Sequence, residues 1–323
     1  MSRLLSSVLA VLFIALASVG CQRKDLMDPH DHHNLVIKAK LDDHALSQLQ
    51  TIDNDGYSNP GEPKTTKYIV YEKSTKKIVT SGSFNGLQGG AYLEEGIYDL
   101  MVYTSDFFMY DANFYRSMSS KEEAEAYTRQ SEINDVTPRN GVTEVYMVEP
   151  DPTFAAYHEE ILILQGDNQV LDIELVQKSF KYYLTIKAKG LNKIHTATMY
   201  ISGMYTTAYL THEEHRMNEA GTQTVELDIN RYDLEDPQGY GELYGEFWSF
   251  GPNQREDISN SITLYFINGD VITMKLNDLT GQIKKLTRGG EIIVEEFLEI
   301  KGPGGGFDPG VGEWNDTNVD LEL

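Results

Sequence analysis

One cysteine stands among 323 residues, at position 21. A single thiol closes no intramolecular disulfide, so the fold must rest on its packed core. Basic residues are scarce as well. There are 27 Lys and Arg against 50 Asp and Glu, a net charge of -23. Such a surface repels nucleic acid, whose binding depends on neutralising phosphates with Lys and Arg. Catalytic signatures are missing too: the sequence holds no Gly-x-Ser-x-Gly and no Walker-type phosphate loop. Thr211-His212-Glu213-Glu214-His215 comes near His-Glu-x-x-His, but its histidines stand three apart, not four, and a catalytic zinc also needs a third ligand. Carboxylates are abundant, but abundance identifies no glycosidase pair. We therefore expect no enzyme and no cofactor.

What the sequence has explains the placement of Cys21. Arg3 is followed by the apolar run Leu4–Leu16 and then by small residues ending in Gly20. This is the charged, apolar and small-residue order of a secretory signal over 1–20. It is marginal as a spanning helix, which needs about 20 apolar residues. A cysteine just after the cleavage site is the lipidation position of a bacterial lipoprotein, where several acyl chains of the palmitate kind make attachment lasting. The usual Leu three residues before the cysteine is replaced by Ser18. Gln22, not Asp, follows it, so no inner-membrane retention signal is present. The polar stretch 21–33 reads as a tether.

Beyond residue 33 the pattern is short strands separated by turns. Leu35–Leu41, Thr66–Glu72, Lys77–Phe84 and Ala91–Tyr103 alternate as strands do. Further strands are expected at 142–148, 160–165, 170–177, 180–188, 196–202, 224–229, 243–250, 261–267, 271–276 and 292–300. Gly166-Asp167-Asn168 and Asn268-Gly269 suggest hairpins over 161–175 and 262–276. One helix is expected at Ser119–Tyr127, where Ser119 and Glu122 form a capping-box pattern before Ala and Glu. Leu35-Val36-Ile37-Lys38-Ala39-Lys40 returns as Leu184-Thr185-Ile186-Lys187-Ala188-Lys189, once in each half. The pattern predicts an all-β protein of two sandwiches, spanning 34–177 and 178–323. If the halves are related, the first carries extra residues around 106–136.

Metal candidates are weak. Asp53, Asp55, Gly56 and Glu62 fall at positions 3, 5, 6 and 12 of a calcium loop, but Thr51 holds position 1 and Ser58 position 8. His30, His32 and His33 lie in the tether, where nothing fixes ligand geometry. A polar loop and a hydrophilic spacer are the expected roles. Trp248 and Trp314 could stack on sugars, but aromatic residues in sandwiches are usually core.

The opening CQRKDLMDPHDHH, the segment LEEGIYDLMVY and the closing GGGFDPGVGEWNDTNVDLEL together resemble surface lipoproteins of Bacteroidetes in the FimB-like fimbrial anchor group. That resemblance implies two tandem transthyretin-like β-sandwiches after a lipoprotein signal peptide. It implies a surface-exposed outer-membrane protein, held by lipid on Cys21, that anchors fimbrial shaft subunits by strand addition. Shaft subunits of related families lose an N-terminal segment to an Arg-directed protease. Arg23 is the only arginine between Cys21 and the first strand, so retention of the lipid is expected. The alternative is a glycan-binding surface lipoprotein, with exposed aromatics on one patch.

Overall fold

The structure, a computed structural model, describes residues 33–41, 46, 48, 49, 63–106, 113–128, 146–166, 168–212 and 220–301. Cys21, the loop with Asp53, Asp55 and Glu62, and the tail with Trp314 lie outside them. In the first half the strands are β1 (Leu35–Leu41), β2 (Thr65–Glu72), β3 (Ile78–Asn85), β4 (Gln88–Ala91), β5 (Gly96–Asp106), β6 (Asn113–Arg116), β7 (Glu125–Thr128), β8 (Tyr146–Met147), β9 (Phe154–Ile163) and β10 (Gln169–Gln177). In the second they are β11 (Phe180–Lys189), β12 (Ile194–Tyr205), β13 (Thr207–Tyr209), β14 (Ala220–Arg231), β15 (Gly241–Ser249), β16 (Asn260–Phe266), β17 (Val271–Lys275) and β18 (Gly290–Glu299). A one-turn helix, α1 (Thr280–Ile283), precedes β18.

The first sheet runs β3-β2-β5-β9-β10-β1-β4. β9 and β10 meet only at Ala155–Val176 and Phe154–Gln177. The sheet folds over at that corner into two layers, β3-β2-β5-β9 and β10-β1-β4. Leu35 and Ile37 of β1, Ile173 and Leu175 of β10, Val70 of β2, Leu100 and Val102 of β5 and Ile161 and Ile163 of β9 fill the space between them. Alternation explains this: every second residue of a half-buried strand faces the partner layer.

The second sheet runs β17-β16-β12-β14-β15-β11-β18. It folds at the β14–β15 corner, where Asp228–Arg231 pairs with Gly241–Tyr244. Its core holds Leu184, Ile186 and Ala188 against Met199, Ile201, Val225, Leu227, Ile262 and Leu264. The fold is therefore all-β, two transthyretin-like sandwiches in tandem. The sequence repeat marks equivalent strands. β1 lies between antiparallel β4 and parallel β10. β11 lies in the same way between β15 and β18.

Two expectations are corrected. Residues 119–127 form no helix: 117–124 are turns and 125–128 are β7. Helix propensity there is overridden by packing, because Ala124 and Ala126 are fully buried in a cluster with Tyr71, Met101 and Tyr205. Residues 161–175 form no hairpin ladder. β9 and β10 part into opposite layers after Gly166, whereas Asn268-Gly269 does close a hairpin between β16 and β17.

The halves interlock. Only Lys178 and Ser179 separate β10 from β11. β8 pairs in parallel with β14. A three-stranded sheet, β13-β7-β6, takes strands from both sides. Trp248 of β15 is buried in the first half's core. Gln48 accepts bonds from Gln177 Nε2 (2.6 Å) and from the Lys181 N–H (3.2 Å), and donates to the Arg288 carbonyl (3.1 Å).

Candidate interaction surfaces

Strand direction defines two ends remote from the β10–β11 junction. In the first half, β1, β3, β5 and β10 start there and β2, β4 and β9 end there. We call this the entry pole, because the described chain enters it at His33. In the second half, β12, β15 and β17 start, and β11, β14, β16 and β18 end, at the far tip. The chain leaves the tip at Lys301.

Exposed apolar side chains gather at both ends. The tip carries Tyr232, Leu234, Tyr240, Ile267, Val271 and Phe297. Leu234 is 72% and Ile267 67% exposed. Backbone bonds hold these segments together around residues 190–193: Gly190 N–H to the Gln238 carbonyl (2.9 Å) and Ile267 N–H to the Lys193 carbonyl (2.9 Å). The outer face of β15-β11-β18 runs up to the tip. Thr185 has Tyr244 and Ile293 on either side, and Tyr183 has Glu246 and Glu291. The Tyr240 and Phe297 rings lie 5.8 Å apart, with Lys189 Nζ 5.4 Å from the Tyr240 ring. Tyr232 donates to Glu242 Oε1 at 2.8 Å and Lys181 Nζ lies 2.9 Å from Glu246 Oε1. Burial, then the charge of Glu246, raises the Tyr244 hydroxyl to about 12, so it remains a donor at neutral pH. Beside this face β18 is an outermost strand among the described residues, its edge occupied at Ile293 by the Gln282 side-chain amide (3.1 Å to the N–H, 3.2 Å to the carbonyl), and β17 is outermost on the other layer. Unpaired N–H and C=O groups on an edge can take up an added strand.

The strongest charge cluster is on the first half's outer face. Asp99 of β5 sits nearly buried between Lys121 Nζ (2.9 Å) and Lys73 Nζ (3.3 Å), and accepts the Glu160 N–H at 3.1 Å. Lys121 also donates to the Tyr157 hydroxyl. Burial alone would raise the Asp99 pKa, but the bonds from Lys121, the Glu160 N–H and Tyr157 outweigh it and hold it at about 2. This knot pins the 117–123 turn to the sheet. A shallow cavity of about 250 Å³ lies nearby, lined by Lys67, Tyr68, Ser81, Tyr103 and Met118.

Of the histidine pair, His212 lies among the described residues and His215 outside them. His212 packs on Tyr209 with ring centroids 4.2 Å apart, and its Nε2 is 3.2 Å from the Glu122 carbonyl. Among the described residues no group of three or more His, Cys, Asp or Glu could hold a metal, and no helix is long and apolar enough to cross a membrane. Sequence reading missed the face on β15. Its signal was the alternation of Glu242, Tyr244, Glu246 and Trp248 on one side of the strand.

The fold places the chain among tandem β-sandwich proteins. Residues 20–226 match the family described as Domain of unknown function (DUF5119), and the chain belongs to that family. Among solved structures it is similar to a candidate adhesin from Bacteroides ovatus, at 19% identity and TM-score 0.54, covering 88% of this chain and 98% of that one. It is also similar to a candidate adhesin from Bacteroides thetaiotaomicron (10% identity, TM-score 0.49, 83% and 91% covered). A third is the fimbrial anchor protein Mfa2 from Porphyromonas gingivalis (10%, 0.44, 82% and 89%). At such identities the likeness concerns the fold. No curated protein matches the sequence.

Proposed function

We propose that this chain is a surface-exposed outer-membrane lipoprotein, lipidated at Cys21 after removal of 1–20, that anchors a fimbria-like polymer. In this reading 21–33 is the tether, and 34–177 and 178–323 are two sandwich domains. The observation that carries it is the tip, where exposed apolar residues adjoin the outer edge of β17, which has no strand neighbour among the described residues. Association through such a surface takes aromatic and aliphatic anchors together with main-chain pairing. The test is a pull-down from native envelopes in mild detergent, comparing the wild type with Ile267→Thr/Val271→Thr. A stoichiometric partner held by the wild type and lost by the variant is expected. Absence of any partner in cells that bear fimbriae would overturn the reading.

A second reading rests on the face formed by Tyr183, Tyr244, Ile293 and Phe297 beside Glu242 and Glu246. Aromatic faces flanked by acceptors also suit sugar rings. Polysaccharide binding abolished by Tyr244→Ala, with partner capture unchanged, would select this alternative.

A further inference from the structure

The exposed apolar side chains of the first half are unevenly placed. Ile78, Val79, Tyr92, Ile97, Leu162, Leu164 and Val170 all lie at the entry pole, and only Val148 and Val176 among the described residues lie elsewhere. They lie at one end of the sandwich, on the outer faces of both layers. Ile97 is the cross-strand partner of Leu162, and Val170 that of Val36. Asn34 joins the segments: its Oδ1 accepts the Leu93 N–H at 2.8 Å, its Nδ2 donates to the Leu93 carbonyl at 2.7 Å, and its carbonyl accepts the Gln169 N–H at 2.8 Å. Tyr92, 65% exposed, stands next to that joint. The Lys73 N–H bonds to the Ile97 carbonyl at 3.0 Å and brings the β2–β3 turn alongside. Lys76 and Lys77 are exposed on this turn, and Glu94 and Glu95 on the next. Both signs of charge thus stand beside the apolar residues of the pole.

Loop geometry leaves few candidates to cover it. The undescribed stretches after β1 and after β5 begin at strand ends on the opposite side of the sandwich. The segment that reaches this pole is the one arriving at His33. Cys21 lies only twelve residues before it. Twelve residues reach at most about 40 Å when extended and roughly 20 Å as a coil. A lipid on Cys21 would thus hold this pole, more than any other part, against the bilayer.

We propose that the entry pole is a lipid-contact surface, seated on the membrane interface when the chain is held there. This rests on the reading of Cys21 as the anchor. An interface accepts apolar and aromatic side chains next to charged ones. A patch too weak to bind alone can act once a tether has raised its effective concentration. Seating would fix the sandwich upright and point the tip away from the membrane.

Cys21 is the only thiol, which makes the test direct. The chain from Cys21 onward is coupled by maleimide lipid to zwitterionic phosphatidylcholine vesicles, and amide hydrogen exchange is compared with the same chain capped by a soluble maleimide. Exchange is expected to slow several-fold at 73–79, 92–97 and 164–170, with 267–271 at the tip unchanged. Tyr92→Ser/Ile97→Thr/Leu162→Thr/Val170→Thr should cancel the slowing and leave the melting temperature near wild type, since all four sites are exposed. Equal exchange in the coupled and capped chains would overturn the proposal. If the pole is already protected in the capped chain, the tether covers it and the proposal also fails. Because coupling is chemical, neither result depends on lipidation in cells. That reading is tested separately by whether Cys21→Ala is released from envelopes.

Discussion

The two sandwiches share one wiring and close at different corners. Counting only sandwich strands, each has the order third-second-fifth-sixth in one layer and seventh-first-fourth in the other. In the first half the sixth and seventh strands, β9 and β10, join the layers. In the second the third and fourth, β14 and β15, do so. The difference decides what each half leaves open. The first half has its sixth and seventh strands joined, and the turn at Gly86 brings β3 directly into β4 on the other side. The second half keeps β17 and β18 apart, so two outermost strands flank the tip. A common topology thus leaves different strands outermost: β3 and β4, joined by a turn, in the first half, and β17 and β18, apart, in the second.

The insertions follow the same division. β6 and β7 lie between β5 and β9, and β13 between β12 and β14, yet all three form one sheet. The cluster beneath them takes Tyr71, Met101 and Tyr103 from the first half and Tyr205 and Phe250 from the second. Coupling between the halves should therefore be strong, and it can be broken in graded steps. The largest effect is expected from Trp248→Ala, which removes a second-half ring from the first half's core. Loss of a buried Trp costs about 3–5 kcal/mol. Urea unfolding with exchange read in each half should show the first half destabilised at least as much as the second. A loss confined to the second half would mean that the cores are independent.

Next is Gln48→Ala, which strips a buried junction of three hydrogen bonds. Leaving such groups unpaired costs about 1–3 kcal/mol. Unfolding midpoints should fall without a change of slope.

Acid separates the junction from the outer face. Glu149 accepts the Trp248 N–H at 2.6 Å. Burial raises its pKa from 4.5 to about 7, against the pull of that bond; Glu246 and Asp151 raise it further and Lys181 lowers it. A raised carboxyl binds its proton more readily when folded, so its contribution is complete below about pH 4.5 and is lost as pH rises through 7. Asp99 works in the opposite sense. Its pKa is lowered from 3.8 to about 2, so its contribution is complete above about pH 4 and is lost as pH falls toward 2. The Trp248 amide should thus be better protected at pH 5.5 than at pH 7.5, after correction for intrinsic exchange. Glu149→Gln should abolish that difference. The 117–123 turn should loosen only below pH 4.

The smallest stability effect belongs to the tip. Ile267→Thr should shift stability by less than about 0.5 kcal/mol, as exposed substitutions do, while partner capture falls.

The sequence carried the strand pattern, the Asn268-Gly269 hairpin and the repeat because each is a local signal. What it could not carry were choices made by distant contacts. Ala124 and Ala126 favour a helix until Tyr71 and Tyr205 supply a surface to pack on. Gly166 looks like a hairpin turn until the two layers draw β9 and β10 apart. Trp248 was read as core, but nothing near it in sequence says whose core. The entry pole and the tip were invisible for the same reason, since their residues are scattered over strands and loops that only the topology brings together.

The central claim is that the two ends face different partners. A photo-crosslinking residue at position 267, in intact envelopes, tests it most directly, with position 162 as its counterpart. The account predicts a protein adduct of defined mass from 267 and none from 162. A protein adduct from 162 with none from 267 would contradict it.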